Sequence, residues 1–136
     1  RAQNGVAQVQ ENPALDAAAQ MKANNMAAQG YFSHTSPTGI APWYWMTLEG
    51  YYYMDAGENL GEGFADAAGL DSAWMQSPSH RANILNPVYT EIGIGIAQAA
   101  YEGRPTTLVV QFFARPAQLT AAQLAAIDKS KPLAAN

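Results

Sequence analysis

Two histidines are present, His34 and His80, each among small polar residues: Ser33-His34-Thr35-Ser36-Pro37 and Ser77-Pro78-Ser79-His80-Arg81. Histidine titrates near neutral pH and is the commonest metal ligand. The plainer reading is that each ring caps a turn or fills a polar notch. Glu58, in Gly57-Glu58-Asn59-Leu60, lies in a stretch too irregular to need a solvating charge. It reads as a carboxylate capping neighbouring backbone N–H groups, or as a buried acid that holds a partner. Glu91 enters an isoleucine strand at Thr90-Glu91-Ile92, where a strand-edge charge is unremarkable, and Glu62 reads as solvated. If they converge, His34, His80, Glu58 and Glu91 supply three or four hard or borderline ligands, the inventory expected for zinc or a similar divalent ion. Their spacing matches no local ligand signature such as a helical histidine pair.

Other chemistries find less support. Ser33, Ser36, Ser77 and Ser79 lie near the histidines, but no Gly-x-Ser-x-Gly elbow is present. Gly93-Ile94-Gly95 imitates the start of a dinucleotide fingerprint, yet Gln98 holds the third glycine position. The glycines also fall inside a strand rather than between a strand and a helix, so no nucleotide cofactor is expected. Trp43, Trp45, Tyr51, Tyr52 and Tyr53 concentrate the aromatic surface. They read as core and rim, with a groove for an apolar ligand as the alternative.

The elements that must position these residues can be read in order. Asn12 suits an N-cap, Pro13 a first helical position and Gly30 the left-handed residue after the end, so a helix is expected over Pro13 to Gln29. Leu15, Ala18, Ala19, Lys22 and Met26 share one face of it, the Lys22 stem lying along the core. A short helix follows from Pro42 to Glu49. The glycines Gly57, Gly61 and Gly63 argue against a long regular element over Tyr51–Gly63 and for close backbone approach. A third helix is expected over Ala65 to Gln76, ended by Ser77-Pro78, with one or two more turns from Ser79 to Leu85. Ile92, Ile94 and Ile96 alternate with Gly93, Gly95 and Ala97, and Thr106 to Ala114 is rich in strand formers. The turn-like Tyr101–Pro105 should pair these two strands antiparallel. The bare glycine face implies that another backbone packs closely there. Thr120 and Gln123 form a capping box for a helix over Ala121–Asp128, and Lys129 onward reads as a frayed tail or linker. The expected domains are therefore 1–116, one compact unit, and 117–136, a short helix and tail.

Composition bounds the function classes. The chain has 136 residues, 49% of them hydrophobic and 13% charged, which suits a folded domain. Seven basic residues stand against eleven acidic ones, for a formal net charge of −4, so no basic stripe exists to meet nucleic acid or an anionic membrane. With no cysteine there is no disulfide scaffold, thiolate metal site or cysteine nucleophile. No apolar run approaches the roughly 20 residues needed to cross a bilayer.

Four motifs in order then carry a resemblance. Gly30-Tyr31-Phe32-Ser33-His34-x-Ser36-Pro37-x-Gly39, Ala56-Gly57-Glu58-Asn59-Leu60, Trp74-Met75-x-Ser77-Pro78-Ser79-His80-Arg81-x-Asn83-Ile84-Leu85 and Tyr89-Thr90-Glu91-Ile92-Gly93-Ile94-Gly95 together resemble the CAP superfamily. That group embraces cysteine-rich secretory proteins, venom antigen 5 and plant pathogenesis-related proteins. This chain looks like its bacterial, cysteine-free branch of SCP-like extracellular proteins. The resemblance covers the chain from the first helix to Ala114. It implies an α+β fold, a three-layer α-β-α sandwich around a small antiparallel sheet, and secretion or display outside the cell. It also implies an open cleft with a His/Glu cluster that in some members holds zinc or another divalent ion. His34 matches the first family histidine, Glu58 the glutamate of Gly-Glu-Asn, and His80 the histidine of the bacterial Ser-Pro-x-His-Arg motif. The chain departs from eukaryotic members at Val88, where they carry a histidine before Tyr-Thr, and at Ser77, where they carry a glutamate. The implied metal set is His34, His80 and Glu58, with Glu91 as a fourth group in the cleft.

Three functions remain open. One is an extracellular binding module for a small apolar ligand, peptide or surface component. Another is a metal-dependent hydrolase or peptidase with Glu58 or Glu91 as base. The third is a structural or adhesive module.

Overall fold

The computed structural model describes residues 1–101 and 103–127. Its long helix α1, Pro13–Gln29, begins where the Asn12 side chain accepts the N–H groups of Ala14 and Leu15, and ends at Gly30 with φ +69°. Leu15, Ala18, Ala19, Lys22, Ala23 and Met26 are its buried face.

Four strands form one sheet, β1 (Gln10–Glu11), β2 (Tyr53–Glu62), β3 (Glu91–Tyr101) and β4 (Arg104–Pro116), in the order β1-β3-β4-β2. β3 and β4 are the expected antiparallel pair, joined by a tight turn with Gly103 at φ +77°. β2 pairs antiparallel with β4 on the far side. The sheet is not wholly antiparallel, because the short β1 runs parallel to β3.

β2 corrects the expectation of an irregular segment over Tyr51–Gly63. The glycines do mark close approach, but within a regular strand. A Cβ on Gly57 would lie 2.6 Å from the Tyr89 hydroxyl, and one on Gly61 2.5 Å from Leu70 Cδ1. Both glycines face the same side, as strand alternation requires.

α1 covers one face of the sheet. Gly93 and Gly95 lie directly under it, and a Cβ on either would strike α1 backbone atoms. On the other face sit α3 (Ala67–Gln76) and α4 (Pro78–Leu85), with Leu70 and Trp74 packed on Val109. α3 starts later than Ala65 because the Asp66 side chain accepts the Gly69 N–H and caps it there. The main core, including Leu15, Met26, Met46, Leu60, Val110 and Phe112, lies between α1, the sheet and α2 (Trp43–Leu48). α5, Ala121–Ala126, opens on the expected Thr120/Gln123 capping box. Asp128 and the stretch from Lys129 onward lie outside the described residues.

Side chains engage part of the sheet's edge on β2 and on the stretch of β3 beyond β1. The carbonyls of Ala56, Glu58 and Leu60, two residues apart on β2, accept hydrogen bonds from Tyr89, Asn83 and Trp74. On β3 the N–H groups of Ile94 and Ile96 donate to Asp16 and Gln20, one helical turn apart on α1. These bonds occupy edge positions that an incoming strand would otherwise pair with.

Candidate functional site

Strand alternation sends neighbouring residues of β2 to opposite layers. Asn59 turns toward α4, where its amide donates to Gln111 Oε1 at 3.0 Å and to the His80 carbonyl at 3.2 Å. Asn83, one turn on from His80, donates to Asn59 Oδ1 at 2.9 Å and to the Glu58 carbonyl at 3.0 Å. This amide network pins α4 against β2. Glu58 turns the other way, toward α1, and its side chain is 1% exposed.

There the carboxylate meets Lys22, whose side chain is equally buried: Nζ is 3.1 Å from Oε1 and 2.9 Å from Oε2. Lys22 also donates to the His34 carbonyl, which fixes the loop after α1. That loop returns the His34 ring to Glu58, Nδ1 lying 2.6 Å from Oε1, while 62% of the histidine side chain stays exposed. Oε2 lies off the hydrogen-bonding angle of Nζ and has no other partner among the described residues, so it is a buried acceptor with an ionic contact. Burial lowers the Lys22 pKa from its ordinary value, against the opposing pull of Glu58. Desolvation therefore outweighs attraction for the ammonium.

His34 and Glu58 line a cavity of about 320 Å³ together with Pro42, Trp43, Ala56, Gly57 and Asn83. It opens beside the capped edge of β2. His80 is not part of the lining. Its ring stacks on Trp74, centroids 6.5 Å apart, and its Nδ1 lies 2.7 Å from Ser77 Oγ. Glu91 is placed elsewhere. It accepts from Tyr51 and Asn12 at the start of α1, and it lines a different cavity. Glu91 and Ala56 both pair with Ala114 across β4, which puts two ladder spacings, about 10 Å, between them. Glu62 is half-buried rather than simply solvated, and its Oε2 has no hydrogen-bond partner among the described residues.

The sequence reading did not single out Lys22 or Asn83 for the site. The signal for Lys22 was its place on an otherwise apolar helix face. For Asn83 it was a lone amide ahead of Ile84-Leu85, three residues beyond His80.

Comparison with known proteins settles the lineage. The sequence model of CAP, the cysteine-rich secretory protein family, matches residues 1–113. The chain belongs to the CAP family. It is 37% identical over 99 residues to the uncharacterized protein YkwD of Bacillus subtilis (strain 168), a match covering 73% of this chain and 38% of that protein. The uncharacterized membrane protein YlbC of the same strain is 28% identical over 102 residues, covering 74% of this chain and 29% of YlbC. This CAP domain thus spans between 29% and 38% of the length of the curated relatives it matches. Among solved structures, an extracellular SCP-domain protein from Bacillus anthracis str. Ames is similar with a TM-score of 0.69 at 24% identity, over 85% of this chain and 36% of that one. An outer surface protein from Borrelia burgdorferi gives a TM-score of 0.69 at 21% identity, over 85% of this chain and 84% of that one. These likenesses fix the fold as the mixed α+β CAP architecture.

The divalent ion that the family suggests does not fit the cluster as this CAP domain arranges it. Among the described residues, no three His, Asp or Glu side chains gather into a group able to hold a metal ion. The place beside the Glu58 carboxylate is already taken by the Lys22 ammonium, in reach of both oxygens. A second cation there would face a buried like charge within a few ångströms, in a region of low effective dielectric. No helix among the described residues is long and apolar enough to cross a membrane.

Proposed function

We propose that this CAP domain is a non-enzymatic binding module acting outside the cell, and that its ligand seats in the cavity of His34, Trp43 and Asn83. The observation that carries this reading is the Lys22–Glu58–His34 chain, in which a buried ion pair holds a largely exposed imidazole at the cavity mouth. With Nδ1 engaged by Glu58, the other ring nitrogen has no hydrogen-bond partner among the described residues and can bond a ligand. Pro42 and Trp43 supply an apolar wall. The size suits a small molecule or a protruding part of a surface component with one apolar face and one hydrogen-bonding group. The extracellular setting is supported by the structural relatives described as extracellular and outer-surface proteins.

A hydrolase needs an activated nucleophile or a free base. Here the Glu58 carboxylate is committed to two cationic or polar partners, and the Ser77–His80 contact has no acid on the second ring nitrogen among the described residues. Screening peptide and glycan fragments by NMR chemical-shift mapping tests the proposal. Saturable shifts at the His34 cavity are expected, weakened at least about 10-fold by Trp43→Ala or His34→Ala. Turnover of a peptide or ester substrate that disappears in Glu58→Gln would overturn it.

A further inference from the structure

We propose that a second cavity, at the start of α1 and floored by Glu91, binds a small primary alkylammonium group. This cavity of about 290 Å³ shares no lining residue with the His34 cavity, and Asn12, Tyr51, Tyr52, Glu91, Leu119 and Leu124 are among its walls. Its volume is at the lower end for ligand pockets, so a small guest is required.

The hydrogen-bonding inventory fixes the guest's polarity. Tyr51 donates its hydroxyl to Glu91 Oε1 at 2.8 Å, and the Asn12 amide donates to Oε2 at 3.1 Å. Asn12 Oδ1 is occupied by the N–H groups of Ala14 and Leu15. Each of the two groups thus spends one hydrogen on the carboxylate, which has about four lone-pair positions and only two filled by them. The carboxylate therefore keeps acceptor capacity together with its negative charge, which favours a cationic donor over a neutral one. The ion pairs among the described residues are Lys22–Glu58, His34–Glu58 and Arg115–Asp55, so Glu91 has no cationic partner there. Burial and Glu91 both push the Tyr51 phenol far above its ordinary pKa, so it stays a neutral donor and does not compete as an anion.

The guest's other end follows from the walls. Leu119 and Leu124 come from the segment leading into α5 and from α5 itself, and Leu124 is 43% exposed. Both lie beyond residues 1–113, the stretch that the family model matches. An unbranched alkyl chain against these leucines, with its ammonium on Glu91, satisfies each wall. Such a group is carried by a free amine or by a lysine side chain.

The test is an NMR titration of the whole chain with n-butylammonium, N-acetyl-lysine methylamide and n-butanol. Saturable shifts of the Asn12 amide and the Tyr51 and Tyr52 rings are expected with the first. n-Butanol, equal in length but neutral, should bind at least about 10-fold more weakly, the scale of a hydrogen bond to a charged group. Binding of the lysine derivative at similar strength would assign the guest to peptides, and its failure beside n-butylammonium would assign it to free amines. Glu91→Gln keeps the side-chain shape and should lose about 10-fold or more in affinity. Leu124→Arg, on an exposed position, should abolish binding by bringing a cation to the cavity even if Glu91→Gln fails to fold. No saturable shift, equal binding of n-butanol, or affinity unchanged in both variants overturns the proposal.

Discussion

Replacing Lys22 with Met is expected to destabilise the fold by about 3–5 kcal/mol at neutral pH, the range for removing one partner of a buried ion pair. Lys22 and Glu58 side chains are each 1% exposed, so the variant leaves a carboxylate in the core with only the exposed His34 ring beside it. The double variant Lys22→Met/Glu58→Leu should recover most of the loss, since it removes the stranded charge and desolvation already outweighs attraction at Lys22. Urea denaturation of the three chains at pH 7 reads both effects. A double variant no more stable than Lys22→Met would mean that packing around the lysine stem, not the stranded charge, sets the cost.

Gly95→Val should be comparably severe, for a steric reason. A Cβ there would fall 2.3 Å from both Ala19 C and Gln20 N of α1, and at Gly93 2.2 Å from Leu15 C. These neighbours are backbone, so no side chain can swing aside, and the whole helix must lift from the sheet. Overpacking of this kind costs about 3 kcal/mol or more, which for a chain of this size lowers Tm by roughly 10 °C. Gly50→Ala is the contrast. Gly50 has φ +72° with nothing within 4 Å of a Cβ, so only conformational strain of about 1 kcal/mol is expected. Thermal melts giving the two variants the same small loss would show that α1 does not seat on β3 as closely as described.

Elements with a local signal were legible in the sequence. α1 carries its own stops in Asn12, Pro13 and Gly30, and the Ile/Gly alternation of β3 announced both the strand and the helix seated on its bare face. β2 was not legible. Its glycines answer to Tyr89, Leu70 and Trp74, partners distant in sequence, and tertiary packing overrides what glycine prefers locally.

The site was half legible for the same reason. His34 and Glu58 do meet. The ammonium that joins them comes from a helix residue 36 positions before Glu58, a separation no local pattern reports. Glu91 and His80 do not join His34 at its cavity. Glu91 contacts Asn12, and Glu58 contacts Lys22 ten residues along α1, about 15 Å of helical rise away. His80 belongs to the layer of α3 and α4, beside Trp74.

The cation of the His34–Glu58 cluster is Lys22 itself. Calorimetric titration with zinc at pH 7.5 tests it most directly. No saturable heat at micromolar zinc, and a Tm unchanged by zinc or by chelator, is the predicted result. One equivalent of zinc bound at micromolar affinity or tighter, and lost in His34→Ala, would contradict it.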